Sequence, residues 1–188
     1  LILVNSCMQA ESSTRRLMEH ARMLLAERYD IEEIDVNAMA LTPVTPEIQC
    51  ERSAGKVADH IVAMARRIAA ADRIVVAAPF WDMSFPSVLK AFIENMSLYN
   101  VTFTDNGKSC VGLCRCERML YVTTRGMDIA TGSVLEQGST YLQALSALWG
   151  CGEVITVAAH NLDYCTLEEK EARLAEAEQK LAELCQVF

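Results

Sequence analysis

The chain has 188 residues, with 17 Lys and Arg against 25 Asp and Glu, so its formal net charge at pH 7 is -8. This length suits one domain that can bury a sizeable core without metal or disulfide support. Hydrophobic residues make up 52% and prolines number only four, a composition that excludes intrinsic disorder. The negative charge is repelled by phosphate backbones, which excludes a nucleic-acid coat protein. We predict one domain over residues 1–188 with no nucleic-acid partner.

The longest uninterrupted apolar stretch, residues 74–81, is far shorter than the roughly 20 residues of a membrane-spanning helix. No secretory pattern opens the chain, whose first residues already resemble a strand. The sequence therefore predicts a soluble protein of the cytoplasm that does not enter a membrane.

Eight cysteines are scattered along the chain, a distribution typical of reduced thiols rather than of a disulfide framework. Only Cys110, Cys114 and Cys116 are close in sequence. Their C-x3-C-x-C spacing matches neither the paired C-x2-C of structural zinc nor the usual iron–sulfur runs. We predict no metal site, and the role of these three residues stays open.

Strands and helices alternate five times. Short apolar runs predict strands at residues 1–4, 31–36, 74–79, 119–123 and 154–158. Apolar residues at helical spacing predict helices over residues 17–25, 57–68, 86–98, 133–148 and 166–184.

Capping and turn residues refine these helix predictions. Ser84 is a plausible cap for the third helix, Gly150 ends the fourth, and Thr166 opens the last helix in a capping box with Glu169. Residues 37–52, which contain two prolines, are predicted to be a loop. Alternating β and α units imply an α/β fold, a three-layer sandwich whose five-stranded parallel sheet has the order 2-1-3-4-5.

In this topology ligands bind beyond the carboxyl ends of the strands, in the loops after the first, third and fourth strands. The first loop lacks both G-x-G-x-x-G and G-x4-G-K-[ST], but it places Ser6, Ser12, Ser13 and Thr14 directly before a helix. Hydroxyls and free N–H groups at a helix start favour a phosphate. Capping of the helix by Ser12 or Ser13 is an equally open interpretation.

The second loop, residues 78–86, carries more large apolar side chains than a solvent-exposed connection needs. Phe80, Trp81, Met83 and Phe85 either plug the end of the sheet or line a slot for a flat aromatic ligand. The third loop, residues 123–128, places a glycine beside an arginine, which suits either a close backbone approach to a ligand or a structural turn.

Together these loops resemble the FMN-dependent NADH-azoreductases and NAD(P)H:quinone oxidoreductases of the flavodoxin-like fold. The resemblance rests on Ser6, Ser12–Thr14, residues 78–93 (APFWDMSFPSVLKAFI), residues 101–104 (VTFT), Gly107, Gly112 and residues 123–126 (TTRG). It spans nearly the whole chain, and residues 79–93 are its most specific part.

The resemblance implies a residue-by-residue FMN site. Ser6, Ser12, Ser13 and Thr14 would hold the phosphate. Around the isoalloxazine it implies Pro79, Phe80, Trp81, Asp82 and Met83 along one edge and Thr124, Arg125 and Gly126 on the pyrimidine side. Met127 and Phe103 would line the acceptor pocket.

The implied activity is hydride transfer from NADH or NADPH through flavin N5 to quinone, azo or nitroaromatic acceptors, with ping-pong kinetics and no catalytic side chain. The resemblance also implies a homodimer with the flavin sites at the subunit interface, formed in part by the helix after Pro86 and by residues 101–113. Two residues depart from the family pattern: Asp82 stands where many members have Asn, and Met127 where a second glycine is common.

Three alternatives stay open at this point. A flavodoxin-type electron carrier would bind FMN without its own NAD(P)H turnover. An iron–sulfur flavoprotein would use the cluster of Cys110, Cys114 and Cys116. A non-enzymatic regulator would keep the fold and lose the cofactor.

Overall fold

A computed structural model describes residues 1–188 of the protein. The strands are β1 (Ile2–Asn5), β2 (Glu32–Asp35), β3 (Arg73–Ala77), β4 (Phe103–Asp105), β5 (Cys110–Gly112), β6 (Arg118–Thr124) and β7 (Glu153–Ala159). The helices are α1 (Ser13–Leu25), α2 (Pro46–Ser53), α3 (Asp59–Ala70), α4 (Ser87–Met96), α5 (Gln137–Trp149) and α6 (Leu167–Cys185).

Five parallel strands form the central sheet in the order β2-β1-β3-β6-β7. This confirms the predicted order 2-1-3-4-5, because β4 and β5 form a separate hairpin. β1 lies between β2 and β3, so the direction of winding reverses beside β1. The carboxyl ends of β1, β3 and β6 are therefore neighbours, and so are the loops that follow them.

Both faces of the sheet are covered by helices, which explains the continuous apolar runs in the strands. In β3, Ile74 and Val76 enter a core shared with α3, α4 and α5, whereas Val75 and Ala77 enter a second core shared with α1 and α6. The predicted α/β sandwich with a parallel sheet is thus confirmed. No helix, the 19-residue α6 included, combines the length and apolar character of a membrane crossing.

The predicted loop over residues 37–52 is wrong in its second half, which forms α2. Thr45 caps this helix by accepting a hydrogen bond from Ile48 N–H, and Pro46 occupies the first turn. A proline there is favourable, because its missing N–H would have had no helical partner. None of the residues of α2 is buried, so the sequence carried no apolar face to reveal the helix.

The starts of α4 and α5 also differ from the sequence prediction. Pro86, not Ser84, occupies the capping position of α4, and Ser84 pairs with the backbone of Trp81 instead. α5 begins at Gln137 rather than at residue 133, because the side chain of Glu136 caps it. The end of α5 at a left-handed Gly150 and the capping box at the start of α6 are confirmed.

The sequence prediction missed the antiparallel β4–β5 hairpin, whose strands have only three residues each. The hairpin packs against the far end of α5. A Cβ atom on Gly112 would lie 1.9 Å from the backbone nitrogen of Gly150, so only glycine permits this backbone approach. The foot of the hairpin is therefore fixed at the edge of the sheet opposite the carboxyl ends of the strands.

Candidate functional site

Hydrogen bonds join the three loops at the carboxyl edge of the sheet. The backbone N–H of Ser6 donates to Ala77 O at 2.9 Å, and Phe80 N–H donates to Thr124 O at 3.1 Å. The hydroxyls of Thr14 and Thr124 are 2.6 Å apart, and either can donate. The structure thus brings together the predicted residues of the first, second and third loops.

The start of α1 offers hydrogen-bond donors that the fold does not use. Ser12 caps the helix, and its hydroxyl oxygen accepts from Arg15 N–H at 3.1 Å. The N–H groups of Ser13 and Thr14 have no partner in the hydrogen-bond network of the backbone. The hydroxyl proton of Ser12 and these two N–H groups lie at the positive end of the helix dipole. Together they favour the binding of an anion at the start of α1.

The four predicted phosphate residues fall into two pairs. Ser12 and Ser13 are half-buried beside a cavity of about 400 Å³. Ser6 and Thr14 are fully buried, and the Ser6 hydroxyl donates to Ala77 O at 3.1 Å. The outer pair can reach a ligand directly, whereas the inner pair connects the loop to the sheet.

The arginines at the start of α1 are engaged within the protein. Arg15 donates to the carbonyl oxygens of Cys7 at 2.9 Å and Gln9 at 3.2 Å, which closes the first loop. Arg16 pairs with Glu171 and Glu178 of α6, and the hydrogen bonds to these carboxylates raise the pKa of Arg16 further above its ordinary value. Anion binding at this loop therefore depends on N–H groups and hydroxyls.

The second loop contains a tight turn with two left-handed residues. Trp81 and Ser84 exchange backbone hydrogen bonds of 3.2 and 2.8 Å, and between them Asp82 and Met83 have φ of 48° and 66°. Turns of this kind favour Asn, Asp or Gly, so Asp82 fits and Met83 is strained. The carbonyl of Met83 accepts from Gln137 N–H at 2.8 Å, which ties the turn to the start of α5.

A fully buried guanidinium organises the third loop. Arg125 donates to Ile129 O at 2.8 Å and to the Thr131 hydroxyl at 2.9 Å, and it lies 3.9 Å from a carboxylate oxygen of Glu136. Its other face lies over the ring of Phe80, 5.7 Å from the centroid. The Arg125 side chain therefore holds the second and third loops together, and its predicted contact with a flavin stays a prediction.

Glu136 is the residue of this region that sequence reasoning missed. It accepts from Ser139 N–H at 2.9 Å, from the Ser139 hydroxyl, and from Gly132 N–H at 3.4 Å. Burial pushes the pKa of Glu136 up, but these hydrogen bonds and the charge of Arg125 outweigh it and hold the pKa below its ordinary value. An acid just before a helix whose first turn has no other acid was the available signal.

Gly126 and Met127 occupy different surroundings. A Cβ atom on Gly126 would lie 1.8 Å from a carboxylate oxygen of Asp163. The group that approaches the Gly126 backbone closely is therefore the side chain of Asp163. Met127 is 38% exposed at the rim of the third loop. Beyond it, Asp128 lies 2.9 Å from Nδ1 of His160.

Exposed apolar side chains are concentrated at this edge. They are Met8, Trp81, Met83, Met127, Val134, Leu135, Tyr164 and Leu167. Apolar exposure on this scale marks a surface that binds something. An apolar rim beside a set of free donors suits a flat aromatic ligand that carries a phosphate.

Phe103 is the one predicted site residue that lies apart from the others. It pairs with Gly112, which contacts Gly150 at the far end of α5, whereas the near end of α5 contacts Met83. A helix of 13 residues spans about 20 Å at about 1.5 Å per residue. Within one chain, Phe103 and Met127 therefore do not line a common pocket.

The sequence of this chain is similar to those of known proteins. A family model described as a flavodoxin-like fold matches residues 1–185. FMN-dependent NADH:quinone oxidoreductase 2 of Clostridium acetobutylicum is 32% identical over 131 residues, which cover 69% of this chain and 65% of that protein. The enzyme of the same name from Clostridium perfringens is 32% identical over 130 residues, with the same coverage. The match thus spans less than two thirds of the length of these relatives.

Solved structures of several reductases share the fold. An azoreductase from Bacillus anthracis superposes with a TM-score of 0.84 at 18% identity, covering 100% of this chain and 98% of that one. An FMN-dependent NADH-azoreductase from the same species, solved in complex with FMN, gives 0.82 at 17% identity and 98% coverage of both chains. An NAD(P)H:quinone oxidoreductase from Methanothermobacter marburgensis gives 0.78 at 15% identity and 97% coverage of both. At these identities the likeness shows the fold alone.

Proposed function

Because this chain belongs to the flavodoxin-like fold family, we propose that it is an FMN-dependent oxidoreductase that passes hydride from NADH or NADPH to quinone, azo or nitroaromatic acceptors. The observation that carries the proposal is the set of free donors at the start of α1, directly beside an exposed apolar rim. The names of the clostridial relatives and of the structural neighbours support the same cofactor and reaction class.

The residues at the start of α1 fit a phosphate monoester. Ser12, Ser13 and the N–H of Thr14 would hold its oxygens, while the buried hydroxyls of Ser6 and Thr14 keep the loop in place. FMN rather than FAD is proposed, because the loop lacks the glycine fingerprint of pyrophosphate sites.

The ring system of FMN would lie across the second and third loops. One edge would meet residues 79–83, and the pyrimidine side would meet Thr124, Arg125 and Gly126. The Arg125 guanidinium would act indirectly, because it fixes the path of the third loop through Ile129 O and packs against the ring of Phe80. Asp82 supplies a carboxyl group where many family members have an amide, and its left-handed backbone suits either residue.

When bound, FMN would supply the hydride-transfer chemistry between NAD(P)H and the acceptor. The chain itself orients the reactants and excludes water. Trp81 and Met83 form one apolar wall, and Met127 stands at the rim of the third loop, where it narrows the space for an acceptor. A single pocket that receives donor and acceptor in turn gives ping-pong kinetics.

A second copy of the chain would complete the pocket. Phe103 lies about 20 Å from the Met83 turn along α5 and reaches a flavin only from a partner. Tyr99, Val111 and Leu113 around the same hairpin are exposed, as an interface in a homodimer requires. Light scattering tests the dimer, and a monomer that turns over NADH and quinone contradicts it. We further propose that residues 1–188 form one domain and that the protein is cytoplasmic.

Anaerobic addition of NADH to protein loaded with FMN tests the proposed function. We expect the flavin absorbance to bleach promptly and to return when benzoquinone is added. Stable bound FMN that NADH does not reduce indicates an electron carrier and contradicts the reductase proposal. A protein that takes up no FMN contradicts both interpretations.

Replacing Met127 tests its place in the pocket. We expect Met127→Gly to raise kcat/KM for a bulky azo dye about tenfold more than for benzoquinone, because burial differences of this size are worth about 1 to 3 kcal/mol. Steady-state kinetics with both acceptors measures the ratio. An unchanged ratio means that Met127 does not border the acceptor.

A further inference from the structure

Three thiols from separate parts of the chain meet at the far end of α5. Cys116 is buried in the core, and Cys114 and Cys151 pack against the same core as half-buried side chains. The backbone brings them together, because Cys114 N–H donates to Trp149 O and Gly152 N–H donates to Cys116 O, both at 2.9 Å. The three cysteines are therefore close because the chain folds back on itself, and not because they are near one another in sequence.

The thiols of Cys114 and Cys116 each donate to a backbone carbonyl, Cys116 to Arg118 O at 3.1 Å and Cys114 to Thr102 O at 3.7 Å. The neighbouring Cys114 thiol, together with burial, raises the pKa of Cys151 to about 12. The neighbouring Cys151 thiol, together with burial, raises the pKa of Cys116 still further.

Solvent exposure distinguishes Cys114 and Cys151 from Cys116. Cys116 is only 2% exposed, whereas Cys114 and Cys151 are both half-buried and open to a small oxidant. No group of three or more His, Cys, Asp or Glu side chains is placed to hold a metal ion. A reaction between two thiols is therefore the chemistry that this arrangement favours.

We propose that Cys114 and Cys151 form an oxidisable pair that a peroxide converts to a disulfide, which ties the foot of the β4–β5 hairpin to the end of α5. The Cys114 sulfur attacks one peroxide oxygen, the O–O bond breaks, and water leaves as the sulfur is oxidised to a sulfenic acid. The Cys151 sulfur then attacks Cys114, the S–O bond breaks, and the released hydroxide takes the Cys151 proton as a second water. Two electrons pass from the two thiols to one peroxide.

The test uses the full-length reduced protein and hydrogen peroxide. After brief exposure, free thiols are alkylated and the digested peptides are identified by mass spectrometry. We expect the peptides of Cys114 and Cys151 to be linked with loss of two hydrogen atoms, while Cys116 stays reduced. Free Cys114 and Cys151 after peroxide has oxidised the exposed Cys50 and Cys110 overturn the proposal, as does a bond from Cys151 to Cys116.

Two variants sharpen the result. In Cys151→Ser, Cys114 stops at the sulfenic acid, which a 1,3-dione traps, and no intramolecular disulfide forms. In the matched Cys116→Ala, the link between Cys114 and Cys151 still forms. A link that disappears in Cys116→Ala contradicts the assignment of the pair. The mapping on the unaltered protein is decisive by itself if a variant fails to fold, and it is independent of the proposed reductase activity.

Discussion

The two ends of α5 are built on different principles. At the near end, a buried ion pair and a strained turn hold loops whose rim exposes apolar side chains. At the far end, Gly112 and Gly150 let two backbone segments touch, and three thiols lie close to the partly exposed ion pairs of Arg73 with Glu117 and Arg118 with Glu153. The far end is built on a close backbone contact, whereas the near end retains backbone strain and a buried charge, which are costs that proteins accept at functional sites.

Replacing Glu136 by Gln tests the near end most severely. The change leaves the Arg125 charge buried without its partner, so we expect a loss of about 3 kcal/mol in the free energy of unfolding. Because the folded pKa of Glu136 is lowered, its stabilisation is present above its ordinary pKa of 4.5 and disappears as the pH falls through the folded value. Denaturant titrations at several pH values measure this difference.

The difference in the free energy of unfolding between the unaltered protein and Glu136→Gln should therefore become smaller as the pH is lowered. The matched control is Glu51→Gln on α2, where the side chain is exposed and the free energy should change little. If Glu136→Gln is as stable as the control at neutral pH, the buried ion pair of Arg125 and Glu136 does not stabilise the fold.

Replacing Gly112 by Ala tests the far end. Its Cβ would lie 1.9 Å from Gly150 N and 2.1 Å from Trp149 C, so the hairpin foot must shift, and we expect a loss of about 2 kcal/mol. Phe103 pairs with Gly112 and reaches the partner's flavin in the proposed homodimer, so we expect FMN affinity to fall together with dimerisation. A destabilised variant that keeps both its dimer and its FMN affinity would contradict the proposed place of Phe103.

The sequence could predict the sheet, because five apolar strands alternating with amphipathic helices leave few topologies. It could also predict the three loops, since the position of ligands follows from strand order. α2 could not be predicted, because it buries no residue. The buried roles of Arg125 and Glu136 could not be predicted either, because their partners are set by how the third loop folds back on itself.

A matched pair of methionines gives the smallest expected effect. Met83 has φ of 66°, where glycine is unstrained, so we expect Met83→Gly to stabilise the fold by about 1 kcal/mol. Met127 has no such backbone strain, so Met127→Gly should destabilise by about 1 kcal/mol through lost packing and added chain entropy. Thermal melts compare the two variants, and shifts of the same sign contradict strain at the turn.

The most direct test of the central claim compares FMN with riboflavin, which differs only in lacking the phosphate. If the free donors at the start of α1 hold the phosphate, FMN should bind at least about a hundredfold more tightly, because hydrogen bonds to charged groups are worth about 1.5 to 3 kcal/mol each. Ser12→Ala should weaken FMN binding and leave riboflavin binding unchanged. Equal affinities for FMN and riboflavin in the unaltered protein would contradict the proposed site.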